Sequence, residues 1–120
     1  MTKEEQLGWK VVTKTGLLSS LDPWIPSARK YSTRFWTYPD VGCGPLCVFE
    51  TRAAARKYIK EPFVEKLTIY RCKYIPSDYY YVWYVEGITQ YEEPILFKTP
   101  IGELPKKTRL ASKVKLLYKG

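Results

Sequence analysis

The chain contains no histidine. That excludes every Ser-His or Cys-His nucleophilic arrangement and every histidine general base, so any chemistry would rest on carboxylates, tyrosines, cysteines, lysines or arginines. Cysteine is also scarce. The three thiols, Cys43, Cys47 and Cys72, are an odd number that argues against a disulfide framework. Cys43 and Cys47 lack metal or redox spacing, and without histidine a closed zinc site would need a carboxylate or a partner chain. No metal and no cofactor is expected. Long apolar runs are missing too: nothing approaches the roughly 20 apolar residues that span a bilayer. The stretch Met1-Thr2-Lys3-Glu4-Glu5-Gln6 carries no apolar signal-peptide core. The expectation is a cytoplasmic protein with no membrane partner.

A chain of 120 residues fits one domain, 1–120, and leaves no room for a second core of ordinary size. Aromatics are abundant, with eleven tyrosines and four tryptophans. Such side chains supply much buried area while keeping a polar edge, and they are favoured at interfaces as well. Two readings follow: a strand-rich core with tyrosines at its rim, or an aromatic binding surface.

The pattern along the chain predicts an α+β fold, a mainly antiparallel sheet packed against one short helix. Gly8 to Thr13 reads as a first strand, Lys14-Thr15-Gly16 as a turn, and the aromatic run Tyr31 to Tyr38 as a further strand. Pro39-Asp40-Val41-Gly42-Cys43-Gly44-Pro45 is the densest turn signal and leads into a short buried strand, Leu46 to Phe49. Thr51 caps a helix over Arg52 to Lys60, with Ala54 and Tyr58, and Ala55 and Ile59, forming an apolar stripe. Val64 to Ile75 and Tyr79 to Val85 are strong strand patterns expected to pair as a hairpin around Pro76-Ser77-Asp78. Ile95-Leu96-Phe97 and Val114 to Tyr118 complete the set. Large side chains on both faces of Tyr79 to Val85 suggest a homodimer that buries one face, the alternative being a cover from Trp24 and Ile25.

Charge is uneven. The formal net charge is +8. From Pro105 onward Lys106, Lys107, Arg109, Lys113, Lys115 and Lys119 meet no acidic residue, and the helix adds Arg52, Arg56, Lys57 and Lys60. In an extended strand Lys113 and Lys115 share one face, with Leu116 and Tyr118 on the other. This basic set, Arg52, Arg56, Lys57, Lys60, Lys106, Lys107, Arg109, Lys113 and Lys115, is the candidate nucleic-acid-binding surface, and an acidic protein is the alternative partner. A solvated surface that blocks edge-to-edge aggregation accounts for the same lysines without a partner.

No catalytic signature is present. Gly42-Cys43-Gly44-Pro45 lacks the spacing and the Lys-Ser/Thr of a phosphate-binding loop and reads as a turn; Cys43 would be reactive only with a cation beside it. Cys47 and Cys72 lie within strand patterns as small core residues. Gln90-Tyr91-Glu92 resembles the late Gln/Glu-x-Glu of arginine-type ADP-ribosyltransferases, with Ser19-Ser20 and Ser32-Thr33-Arg34 as loose matches to the other motifs. That resemblance implies a nucleotide-dependent enzyme with Glu92 as the catalytic carboxylate and Gln90 as its companion. The wider layout, Lys10-Val11-Val12, then Val48-Phe49-x-Thr51-x-x-x-Ala55, then Leu104-Pro105-x-x-Thr108-x-Leu110-Ala111-x-x-Val114-Lys115-Leu116-Leu117, resembles small phage and bacterial proteins, a resemblance consistent with a viral or host-interaction role. The expected function is a small basic accessory domain that binds nucleic acid or an acidic partner without catalysis; a self-associating module is the third option.

Overall fold

Beyond Gly8, neither face of the first strand, β1 (Gln6–Thr13), meets bulk water freely: only Trp9 is half-buried, and Lys10, Val11, Val12 and Thr13 are buried. The cause is closure. In the computed structural model, which describes residues 4–14, 30–39, 42–59, 67–86 and 95–120, β1 pairs antiparallel with β3 (Leu46–Phe49) and with β4 (Leu67–Pro76). The last strand, β7 (Thr108–Lys119), pairs with both β3 and β4, so the order β1-β3-β7-β4 returns on itself as a small barrel. Closure leaves these four strands two faces each, one inside and one outside.

Alternation assigns the side chains. Val12, Leu46, Val48, Cys72, Tyr74, Val114 and Leu116 fill the interior together with Tyr31. Gly8 suits the tight space there: a Cβ on it would lie 3.0 Å from the Tyr74 ring and 3.1 Å from the Phe49 carbonyl oxygen, so its neighbours would have to give way slightly. Val11, Phe49 and Ile69 point outward into a second cluster that Ala55 closes. Ala55 belongs to α1 (Arg52–Ile59), whose Thr51 hydroxyl accepts the Ala54 N–H at 3.2 Å, as a cap should. The expected stripe of Ala54, Ala55, Tyr58 and Ile59 is the face laid on the barrel.

A second sheet runs β2-β5-β6, with β2 (Cys43–Gly44), β5 (Tyr81–Glu86) and β6 (Ile95–Pro100). It meets the barrel where Val82 packs on Cys47 and Leu110, next to Ile101 and Leu104. The single antiparallel sheet expected from sequence is thus a barrel with a smaller sheet against it. The predicted pairing of the Val64–Ile75 and Tyr79–Val85 segments is not formed. β4 already bonds β1 on one edge and β7 on the other, and the Ser77 N–H donates to the Leu110 carbonyl at 2.9 Å, so the connector leaves toward the second sheet. The Lys14-Thr15-Gly16 turn, apart from Lys14, and the Trp24–Ile25 cover lie outside the described residues.

Candidate functional site

The Tyr31–Tyr38 run is not a strand; it is a loop hung on β7. Thr37 bridges Val114 through two backbone hydrogen bonds of 2.8 and 3.0 Å, and the Leu116 N–H donates to the Ser32 carbonyl at 2.9 Å. Between these anchors residues 33–36 bulge outward. The Ser32 hydroxyl shapes the bulge by accepting the Arg34 and Phe35 N–H groups at 3.0 and 3.3 Å, and the Thr37 hydroxyl closes the neck onto the Lys30 carbonyl at 3.2 Å. Tyr31 points into the barrel, whereas Phe35 at the tip is 72% exposed. Residues 30–37 line a cleft of about 510 Å³.

Beside this loop the outer wall of β1, β4 and β7 carries two cross-strand rows. Trp9 faces Arg71, which faces Tyr118; Leu7 faces Lys73, which faces Lys115. The Arg71 guanidinium lies 4.6 Å from the Trp9 ring centroid. Trp36 reaches over the neighbouring row, with the Lys73 and Lys113 ammoniums 5.3 and 4.5 Å from its ring, and Tyr38 adds a contact to Lys113 at 5.9 Å. Glu5 approaches Lys73 at 3.7 Å. Cations and aromatic rings therefore alternate on one wall.

The nine residues predicted for the basic surface divide among three places. Lys113 and Lys115 share the outer face of β7, as expected, and join the wall just described. Tyr118, expected to turn inward with Leu116, is outward: a register shift between Arg71 and Cys72 places Leu116 opposite Cys72 and Tyr118 opposite Arg71. Arg52, Arg56 and Lys57 are exposed on α1, and Lys106 and Lys107 on the turn that faces it. Arg109 is engaged, donating to the Glu50 carboxylate at 2.6 Å, so its charge is largely answered within the protein. Lys60 lies outside the described residues, as do Gln90, Glu92 and Ser19-Ser20.

Sequence reading missed Arg71, Lys73, Trp9 and Trp36. The period-2 signal was available, since Arg71 and Lys73 continue the face of Leu67 and Ile69. What it could not give is the closure that makes this face of β4 contiguous with Lys115, or the loop that brings Trp36 onto it.

Inside the barrel, Lys10 is fully buried. Its ammonium donates to the Cys47 carbonyl at 2.6 Å and lies 4.8 Å from the Tyr31 ring centroid. Burial pushes the Cys72 thiol up to about 12, against a smaller opposing pull from Lys10 and Arg71. Burial likewise raises Tyr74 above the ordinary phenol value. Cys47 is buried and Cys43 half-buried. Among the described residues no three Cys, Asp or Glu side chains converge as a metal site, and no helix is long and apolar enough to cross a membrane.

Comparison with protein-family models, with curated proteins and with solved structures finds no match.

Proposed function

We propose that the domain binds single-stranded nucleic acid along the wall formed by β1, β4, β7 and the loop 30–38, without catalysing a reaction. The observation that carries this reading is the interleaving of Arg71, Lys73 and Lys113 with Trp9, Trp36 and Tyr38. Binding without strong sequence preference needs cations to follow the phosphates and rings on which bases stack. Phe35, exposed at the loop tip, offers a ring with an uncovered surface. A duplex keeps its bases stacked inside and would use only the cations, so the aromatic half of the wall favours a single strand. Titration of oligothymidylate and of a duplex of equal length at two salt concentrations tests this; equal affinity for both, or no binding at low salt, would overturn it.

The β5–β6 hairpin favours a second reading, self-association. Leu96 and Tyr80 are 52% and 80% exposed, and Tyr84 stacks on Phe97 with centroids 4.9 Å apart. Sedimentation at micromolar protein should then show a dimer, and a strict monomer would remove the idea.

A further inference from the structure

We propose a second binding site, in the groove between α1 and the turn Pro105 to Thr108, that takes an acidic peptide segment anchored by one aliphatic or aromatic side chain. The groove holds about 390 Å³ and is lined by Ala54, Lys57, Tyr58, Pro105 and Lys106. It shares no residue with the aromatic wall, so it stands whether or not nucleic acid binds there.

Its chemistry has two parts. Ala54, Tyr58 and Pro105 give the groove a mainly apolar lining, and Lys57 and Lys106 supply positive charge. Clefts of roughly 300 Å³ and above suit small ligands or a single anchoring side chain. The surroundings reinforce the sign: Arg52, Arg56 and Lys107 are exposed on the same two elements, and the Glu50 carboxylate that precedes the helix is taken by Arg109 at 2.6 Å. A partner carboxylate therefore meets cations on both sides of an apolar slot, and among the described residues no carboxylate pairs with Lys57 or Lys106.

Hydrogen bonds brace the turn beside the groove. The Thr108 hydroxyl donates to the Pro105 carbonyl at 2.5 Å, and the Glu50 N–H donates to the Lys107 carbonyl at 2.8 Å, which ties the turn to the start of the helix. Lys107 is held at φ 66, a left-handed conformation that a non-glycine residue adopts at a cost. On the other side Tyr58 is fixed against Phe49, with centroids 5.5 Å apart. A preformed slot lowers the ordering cost of binding. Nucleic acid fits less well here: the lining holds no arginine fork for phosphate, and Tyr58 already uses part of its ring on Phe49.

The test uses fluorescence anisotropy with two labelled peptides, each with aspartate and glutamate flanks, one centred on leucine and the other on serine. The leucine peptide should bind at least ~10-fold more tightly, since burying such a side chain is favourable on that scale. Lys57→Glu with Lys106→Glu should weaken it by roughly tenfold or more, as like charges now face the ligand. Both lysines are exposed, so the variant keeps its fold. In amide NMR spectra the leucine peptide should shift Ala54, Tyr58 and Lys106. Equal binding of the two peptides, no effect of charge reversal, or shifts elsewhere would each overturn the assignment. Competitive displacement of the peptide by oligothymidylate would give the groove to nucleic acid and overturn it equally.

Discussion

Arg71 lies over the Trp9 ring, 4.6 Å from its centroid, from the directly opposite position across the β1–β4 pairing. This pair orients the guanidinium on the outer wall and also bonds the Gly8 carbonyl through Nη1 at 3.5 Å. Arg71→Ala should therefore lower stability only modestly, by about 0.5–1 kcal/mol for a partly exposed cation–π contact. Its larger effect should be on nucleic-acid affinity. Urea unfolding and oligothymidylate titration of the same variant separate the two, and a variant that loses stability but no affinity would remove Arg71 from the interface.

The loop offers a cleaner probe of stacking. Phe35 is 72% exposed and supports little of the fold, so Phe35→Ala should leave the melting temperature unchanged. It should weaken single-strand binding by about 1 kcal/mol or more, the scale of one base–aromatic stack. Unchanged affinity would show that the tip of the loop makes no contact.

The interior lysine gives a prediction about stability. Lys10 donates to the Cys47 carbonyl at 2.6 Å from a fully buried position. Lys10→Met keeps the volume and discards the charge, and should fall within about 2 kcal/mol of the parent, because relief of desolvation offsets the lost bond. Lys10→Asp reverses the charge, cannot donate to that carbonyl and shortens the side chain; it should cost at least ~3 kcal/mol. Chemical denaturation of both variants checks the contrast, and equal losses would mean that the lost bond to the Cys47 carbonyl, common to both, sets the cost, with no added cost from the reversed charge.

Much of the fold was legible because local signals agreed. Thr51 announced the helix start, and the Ala54–Ile59 stripe announced its buried face. The buried alanine is Ala55, fully enclosed, whereas Ala54 is half-buried and borders the groove. Ala55→Asp should therefore destabilise by ~3 kcal/mol or more, and Ala54→Asp by less, since the second carboxylate keeps some water. The partners of β4 were not legible, because alternation assigns side chains to faces and does not say which strands cover the edges. The loop 30–38 differs from a strand for a related reason: Tyr31, Trp36 and Tyr38 look like strand residues, but the loop bonds the β7 backbone at Ser32 and Thr37, five residues apart, with no continuous ladder between them. Of the candidate site, Lys113 and Lys115 were found from alternation, while Trp36 joins them only through long-range closure.

Alkaline pH should weaken the domain in a defined window. The Cys72 thiol is pushed from 9.0 to about 12 by burial, and Tyr74 moves upward for the same reason. Below pH ~9 both states hold the proton and stability is unaffected; between about 9 and 12 the unfolded thiol ionises first, so stability falls as pH rises. Urea midpoints across that window should decline in the parent and decline less in Cys72→Ala. Among the three thiols Cys43, the half-buried one, should be alkylated fastest near neutral pH, with Cys47 and Cys72 protected.

Binding at the wall is measured most directly by the salt dependence of oligothymidylate affinity for the parent and for Lys73→Gln with Lys113→Gln. Both lysines flank Trp36, so the substitutions remove charge from the middle of the wall. Each phosphate contact on a single strand contributes about 0.7 to the slope of log affinity against log salt, so the double variant should lose roughly 1.4 from that slope. Weaker binding with that reduced slope is the predicted result. An unchanged slope and affinity would place any nucleic acid away from the wall of β1, β4 and β7.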